Sequence, residues 1–157
     1  MQKLVLYSAL SLLMLVLLFV ACSKDKYETK PTIEIKSVGP NPVPLNYPLT
    51  FEIDYTDKEG DIADSIFIRK VRINQKKVAK TLRDSFWLQL PGDAPKKSKG
   101  TIKLTLEYQN YVISAENPGN SPNAAPDSLI FRFILQDKAK NRSDSIESEI
   151  IVVERQL

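Results

Sequence analysis

The chain has 157 residues, a net charge of +3, one cysteine and no histidine. That length suits one domain. Without imidazole, Ser-His and Cys-His catalysis and histidine-ligated metals are excluded. The single thiol excludes an intramolecular disulfide, and so small a charge does not by itself point to nucleic acid.

Lys3 is followed by a nearly unbroken apolar run from Leu4 to Val20, and then by Ala21-Cys22-Ser23-Lys24-Asp25. A short basic start, an apolar stretch and a small residue at a cleavage site are the parts of a signal peptide. Phe19-Val20-Ala21-Cys22 resembles the lipobox of bacterial lipoprotein precursors. The resemblance implies that Cys22 carries lipid, palmitate included, and becomes the new N-terminus. It also implies an extracytoplasmic protein anchored at the outer membrane, on its periplasmic or cell-surface face. The competing reading is an uncleaved anchor, but a spanning helix needs ~20 apolar residues. Leu4–Val20 is shorter and contains Tyr7, Ser8 and Ser11. The expected organisation is a signal peptide over 1–21, a lipidated tether over 22–30 and one folded domain over 31–157. Ser23-Lys24-Asp25-Lys26-Tyr27-Glu28 resembles the charged export address of some Gram-negative surface lipoproteins, and reads equally as a solvated tether.

Beyond the tether the apolar residues alternate, which is the period of a strand. Ile33 and Ile35 share a face within 32–38, and Leu49, Phe51, Ile53 and Tyr55 alternate with polar residues. Over 65–73, Ile66 and Ile68 fall out of phase with Val71 and Ile73, which predicts a β-bulge near Arg69-Lys70. One or two short strands are expected within 78–90, with Trp87 in the core. Ile102, Leu104, Leu106 and Tyr108 alternate in a strand that extends toward Ile113. Leu129, Phe131, Phe133 and Leu135 form another, and 146–153 closes the chain with Ile150 inward. Gly39-Pro40-Asn41-Pro42-Val43-Pro44, Pro91-Gly92-Asp93-Ala94-Pro95 and Asn117-Pro118-Gly119-Asn120-Ser121-Pro122 are connectors, because proline lacks the ladder donor. The fold class is therefore all-β: an immunoglobulin-like β-sandwich of about seven strands, with a β-barrel as the alternative. Leu135-Gln136-Asp137-Lys138-Ala139-Lys140-Asn141-Arg142-Ser143 resembles the last hairpin of bacterial immunoglobulin-like domains, with Lys140 where glycine is usual.

The densest acidic segment runs from Asp54 to Asp64 and contains Asp57, Glu59 and Asp61. Calcium takes six to eight oxygens, and these five carboxylates are its candidate ligands. The EF-hand register fails, since aligning Gly60 places Tyr55 and Ile66 where carboxylates belong. The competing reading is a turn in which Gly60 supplies a positive φ. No organic cofactor is expected. Arg69 to Arg83 carries seven Lys or Arg and no acidic residue, and Lys96, Lys97, Lys99 and Lys103 follow. This reads first as a lysine-protected sheet edge and second as a basic face for an anionic partner. Asp-Ser-aliphatic recurs at Ser65, Ser128 and Ser145, three candidate O-glycosylation sites at strand starts.

No Gly-rich phosphate loop is present. The functional expectation is a non-catalytic, lipid-anchored envelope protein that acts as a binding or structural module. It would contact membrane lipid through Cys22 and an envelope protein or polysaccharide, within an envelope complex, without nucleic acid. The alternative is a carbohydrate-binding module or carbohydrate-active enzyme, with Tyr47, Tyr108 and Tyr111 as candidate sugar-facing aromatics.

Overall fold

A computed structural model describes residues 30–62, 64–74, 83–90, 97–113 and 126–155. The signal-peptide reading, Cys22, most of the basic run and two of the three connectors lie outside these residues. No helix among the described residues is long and apolar enough to cross a membrane.

The domain is an all-β sandwich. Its strands are β1 (Thr32–Gly39), β2 (Leu49–Thr56), β3 (Ser65–Arg72), β4 (Ser85–Gln89), β5 (Lys99–Leu106), β6 (Asp127–Gln136), β7 (Ile146–Glu147) and β8 (Ile151–Val153). One sheet has the order β1-β2-β5. The other has β4-β3-β6-β7, with β8 also pairing to β6. All these pairings are antiparallel. The first, second and fifth strands thus face a sheet built on the third and sixth, as in immunoglobulin-like Greek keys. The fourth strand joins the second sheet. After β1 the chain crosses between sheets, and Val43 makes a parallel bridge to Val153.

Alternation builds the core. In β2, Leu49, Phe51, Ile53 and Tyr55 are buried, and in β6 so are Leu129, Phe131, Phe133 and Leu135. Facing sheets bury these rows between them. Phe51 reaches across and meets Phe131 and Phe133 at ring-centroid distances of 5.3 and 4.8 Å. Gly100 lies opposite Tyr55 in the ladder, and a Cβ there would meet the Tyr55 hydroxyl at 2.7 Å. The small residue lets the ring lie across β5.

Four expectations are corrected. Trp87 is 44% exposed, because Phe86 and Leu88 are the residues of β4 that pack on the core. The anticipated bulge in β3 is absent: its register to β6 runs without a shift from Ser65–Gln136 to Arg72–Leu129. Lys70 instead occupies the inward position after Ile66 and Ile68, and the shift lies in β1, between Ile35 and Ser37. The strand ending at Leu106 does not continue; Tyr108–Val112 forms one π-helical turn that buries Tyr108 and Val112. The final strand is split, and Ile150 is 51% exposed.

Serine hydroxyls complete the β6 ladder at that split and just before β7. Ser148 Oγ accepts from Phe131 N at 3.0 Å, and Ser143 Oγ accepts from Leu135 N at 2.9 Å. Each side chain takes the place of a missing ladder carbonyl, so two buried donors of β6 stay satisfied.

Phe131→Ala removes a fully buried ring from the contact between sheets. It should lower stability by ~3–5 kcal/mol, read as a fall in the chemical-denaturation midpoint. An unshifted midpoint would reject the two-sheet core.

Candidate functional site

The most unusual polar cluster sits at the end of the sandwich where β2 and β6 finish. Two loops meet there. After Thr56, Asp57 N donates to Ser98 O at 2.8 Å, which draws the loop beneath the start of β5. Gly60 then turns the chain at φ 68, as the sequence implies, and its N–H donates back to Asp57 O at 3.3 Å. Asp61 N donates to Asp57 Oδ2 at 2.9 Å. Ile62 is buried and fastens the loop to the core.

The second loop is the turn after β6. Asp137 organises it: Oδ1 accepts from Asn141 N at 2.8 Å, and Oδ2 accepts from Asn141 Nδ2 at 2.9 Å. Asp137 N donates to Asn141 O at 3.1 Å. Lys140 has φ 70, so it holds the left-handed conformation that glycine usually supplies in such a hairpin. Lys138 N donates to Asp61 O at 3.0 Å and joins the two loops.

Three carboxylates converge as a result. Asp57, Asp61 and Asp137 each place an oxygen within 4.8 Å of the others. Asp57 is 1% exposed and Asp137 0%. Oδ1 of Asp57 and Oδ1 of Asp61 are buried without a hydrogen-bond partner. Burial, followed by the negative charges of Asp137 and Asp57, raises the Asp61 pKa above its usual value.

Of the five acidic candidates, the fold brings only Asp57 and Asp61 together. Asp54 lies on the outer face of β2, where it accepts from Thr101 Oγ1. Glu59 is exposed. Asp64 points to a different set of partners, accepting from Lys140 Nζ at 2.8 Å, Gln136 Nε2 at 2.8 Å and Ser65 Oγ at 2.9 Å. The hydrogen bond from Lys140 contributes most in lowering the Asp64 pKa to about 2. Asp137, the third member, was not among the candidates because it is 76 residues beyond Asp61 in the chain.

The other candidates are dispersed. Arg69 is exposed on the outer face of one sheet, and Lys99 and Lys103 on the outer face of the other, so they do not form one basic surface. Arg72 and Arg155 instead enclose the buried carboxylate of Asp127, with Arg72 Nε at 2.8 Å and Arg155 Nε at 3.0 Å. Ser65 is buried, Ser128 half-buried and Ser145 exposed. Among the aromatics, Tyr47 is exposed, Tyr111 partly buried and Tyr108 buried, its hydroxyl donating to Glu154 O. Trp87 faces solvent beside Phe67, 5.2 Å between centroids, and the Arg142 guanidinium stands 5.3 Å from the Trp87 ring centre.

Lys70 is 4% exposed, and its ammonium donates to Ile113 O at 2.6 Å. Burial lowers its pKa to about 8, opposed by Asp84 and Asp127 and assisted by Arg83. Between that value and an unfolded value near 10.4, the unfolded chain binds the extra proton. The contribution to stability is therefore full above the unfolded pKa and is lost as pH falls through about 8. Denaturation between about pH 8 and 9.5, below most tyrosine ionisation, should show stability rising by up to ~2 kcal/mol. Lys70→Met should flatten that slope; an equal slope in the variant would contradict the assignment.

No family model and no curated protein matches the chain. Among solved structures, it is similar to a variant of the SrpA adhesin from Streptococcus sanguinis, at 18% identity and TM-score 0.39. The match covers 80% of this chain and 58% of the adhesin chain. It is also similar to a β-glucosidase from Listeria innocua, in complex with gluconolactone, at 15% identity and TM-score 0.37. That match covers 79% of this chain and 16% of the glucosidase chain. The chain thus spans less than two thirds of either matched chain.

Proposed function

We propose that this chain is a non-catalytic, lipid-anchored envelope protein whose sandwich serves as a binding module. Lipid on Cys22 would hold it extracytoplasmically, at the outer membrane. The observation that carries the binding reading is the outward Trp87 on the five-stranded sheet. A solvent-facing tryptophan costs hydration free energy that a partner's contact would recover. Here it has company: Phe67 lies beside it, Phe67 pairs with Ile134 across the ladder, and Arg142 caps the ring. Tryptophan and arginine dominate the energetics of protein interfaces. The same exposed aromatic pair also supports the second reading, a carbohydrate-binding module for envelope polysaccharide.

Against catalysis stands the use of two of the buried ionisable groups described above. Asp127 is held by two arginines and Lys70 by a main-chain carbonyl, each in a structural role.

Two experiments test this reading. Trp87→Ala should leave the melting temperature nearly unchanged while abolishing co-purification of an envelope protein, or retention on isolated envelope polysaccharide. Whichever ligand is lost identifies the partner class. Loss of neither, or a melting temperature lowered as for a core residue, would reject the surface. Cys22→Ala should leave an unprocessed, unlipidated precursor by intact mass. A wild-type protein that retains the Met1–Lys3 peptide would reject the anchor.

A further inference from the structure

We propose that Asp57, Asp61 and Asp137 form a calcium site that clasps the β2–β3 loop to the β6–β7 turn. The site is separate from the Trp87 surface and does not depend on it.

Asp57 is almost wholly buried, yet its Oδ1 accepts no hydrogen bond. Asp61 Oδ1 is in the same condition. A buried acceptor left unmade destabilises a fold by its full desolvation penalty, and more when it is charged. Three carboxylates within 4.8 Å add mutual repulsion. A fold that tolerates this arrangement without a cation gains nothing from it.

The geometry suits an ion. Two ligands on one calcium, each at 2.3–2.6 Å, are separated by no more than about 5 Å, which accommodates the observed spacing. Two of the carboxylates are also held by donors that are not themselves ligand atoms. Asp61 N fixes Asp57 through Oδ2, leaving Oδ1 open. Asn141 fixes Asp137 through both oxygens, each of which retains a further lone pair. The Lys138-to-Asp61 main-chain bond sets the two loops in register before any ion arrives. Such support from outside the ligand set orients ligands for a metal.

The donor set selects the ion. All three side chains offer hard oxygen, and the chain has no histidine. Oxygen-only sites favour calcium or magnesium. Magnesium demands near-ideal octahedral geometry and dehydrates reluctantly, whereas calcium accepts an irregular shell completed by water. Asp61 is only partly buried, and its side of the cluster is the one from which water would complete the shell.

The test uses the full-length chain in detergent, with calcium chloride as the probe. Calcium at millimolar concentration should raise the melting temperature by about 5 °C over a chelator control. Magnesium at the same concentration should give a smaller rise, and titration calorimetry should find one calcium per chain. Asp61→Asn should remove the calcium increment and raise the melting temperature in chelator, since it relieves repulsion between like charges. Asp57→Asn should also remove the increment. Asp54→Asn and Asp64→Asn lie outside the cluster and should retain it. Identical wild-type curves in calcium and chelator would overturn the proposal. So would an increment that survives in both Asp57→Asn and Asp61→Asn, or one lost equally in Asp54→Asn.

Discussion

The contact of Phe51 with Phe131 and Phe133 is the constraint on which this fold rests. One ring from the three-stranded sheet inserts against two from the five-stranded sheet. It fixes the register of the central strands of both layers, β2 and β6, relative to each other. A shift of one residue in either strand would turn its apolar row outward. Everything at the sandwich end inherits this alignment. Asp57 follows β2 by one residue and Asp137 follows β6 by one residue, so the packing of three phenylalanines brings two distant carboxylates together.

Much of the architecture was legible because alternation is a local signal. The apolar rows of β2, β5 and β6 appear in the sequence as an unbroken period of two, and the structure buries them accordingly. Pattern reading failed where a side chain's chemistry and its position disagree. Lys70 is charged but points inward, its long stem crossing the core edge so that the ammonium reaches a carbonyl. A rule that places apolar residues inside reads that lysine as a break in phase. Trp87 is the converse, an apolar residue on the solvent face between two inward neighbours, Phe86 and Leu88. Its strand is too short, at five residues, for alternation to settle its phase.

The acidic cluster was half legible for a related reason. Asp57 and Asp61 belong to one turn, and Gly60 between them marks that turn in the sequence. Asp137 joins them only through strand pairing, a relation that no local pattern carries. The serines of the last hairpin were hidden in the same way. Ser143 and Ser148 look like ordinary surface polar residues, yet each hydroxyl replaces a main-chain carbonyl and keeps a split strand attached to β6. Their burial follows from that duty.

The direction of β1 has an orientational consequence. Thr32 pairs with Thr56, so the chain enters the sandwich at the acidic end, one residue from Asp57. Cys22 precedes Thr32 by ten residues, a covalent leash of at most ~35 Å even when fully drawn out. With lipid on that cysteine, the carboxylate end is confined to a shell of this depth above the bilayer. The far end, where Tyr47 is exposed and β3 finishes at Arg72, lies further along the strand axis by the length of the sandwich. An eight-residue strand at ~3.3 Å per residue makes that length about 26 Å. With the lipid proposed on Cys22, the direction of β1 would place the tether at the acidic end of the sandwich and leave the opposite end untethered.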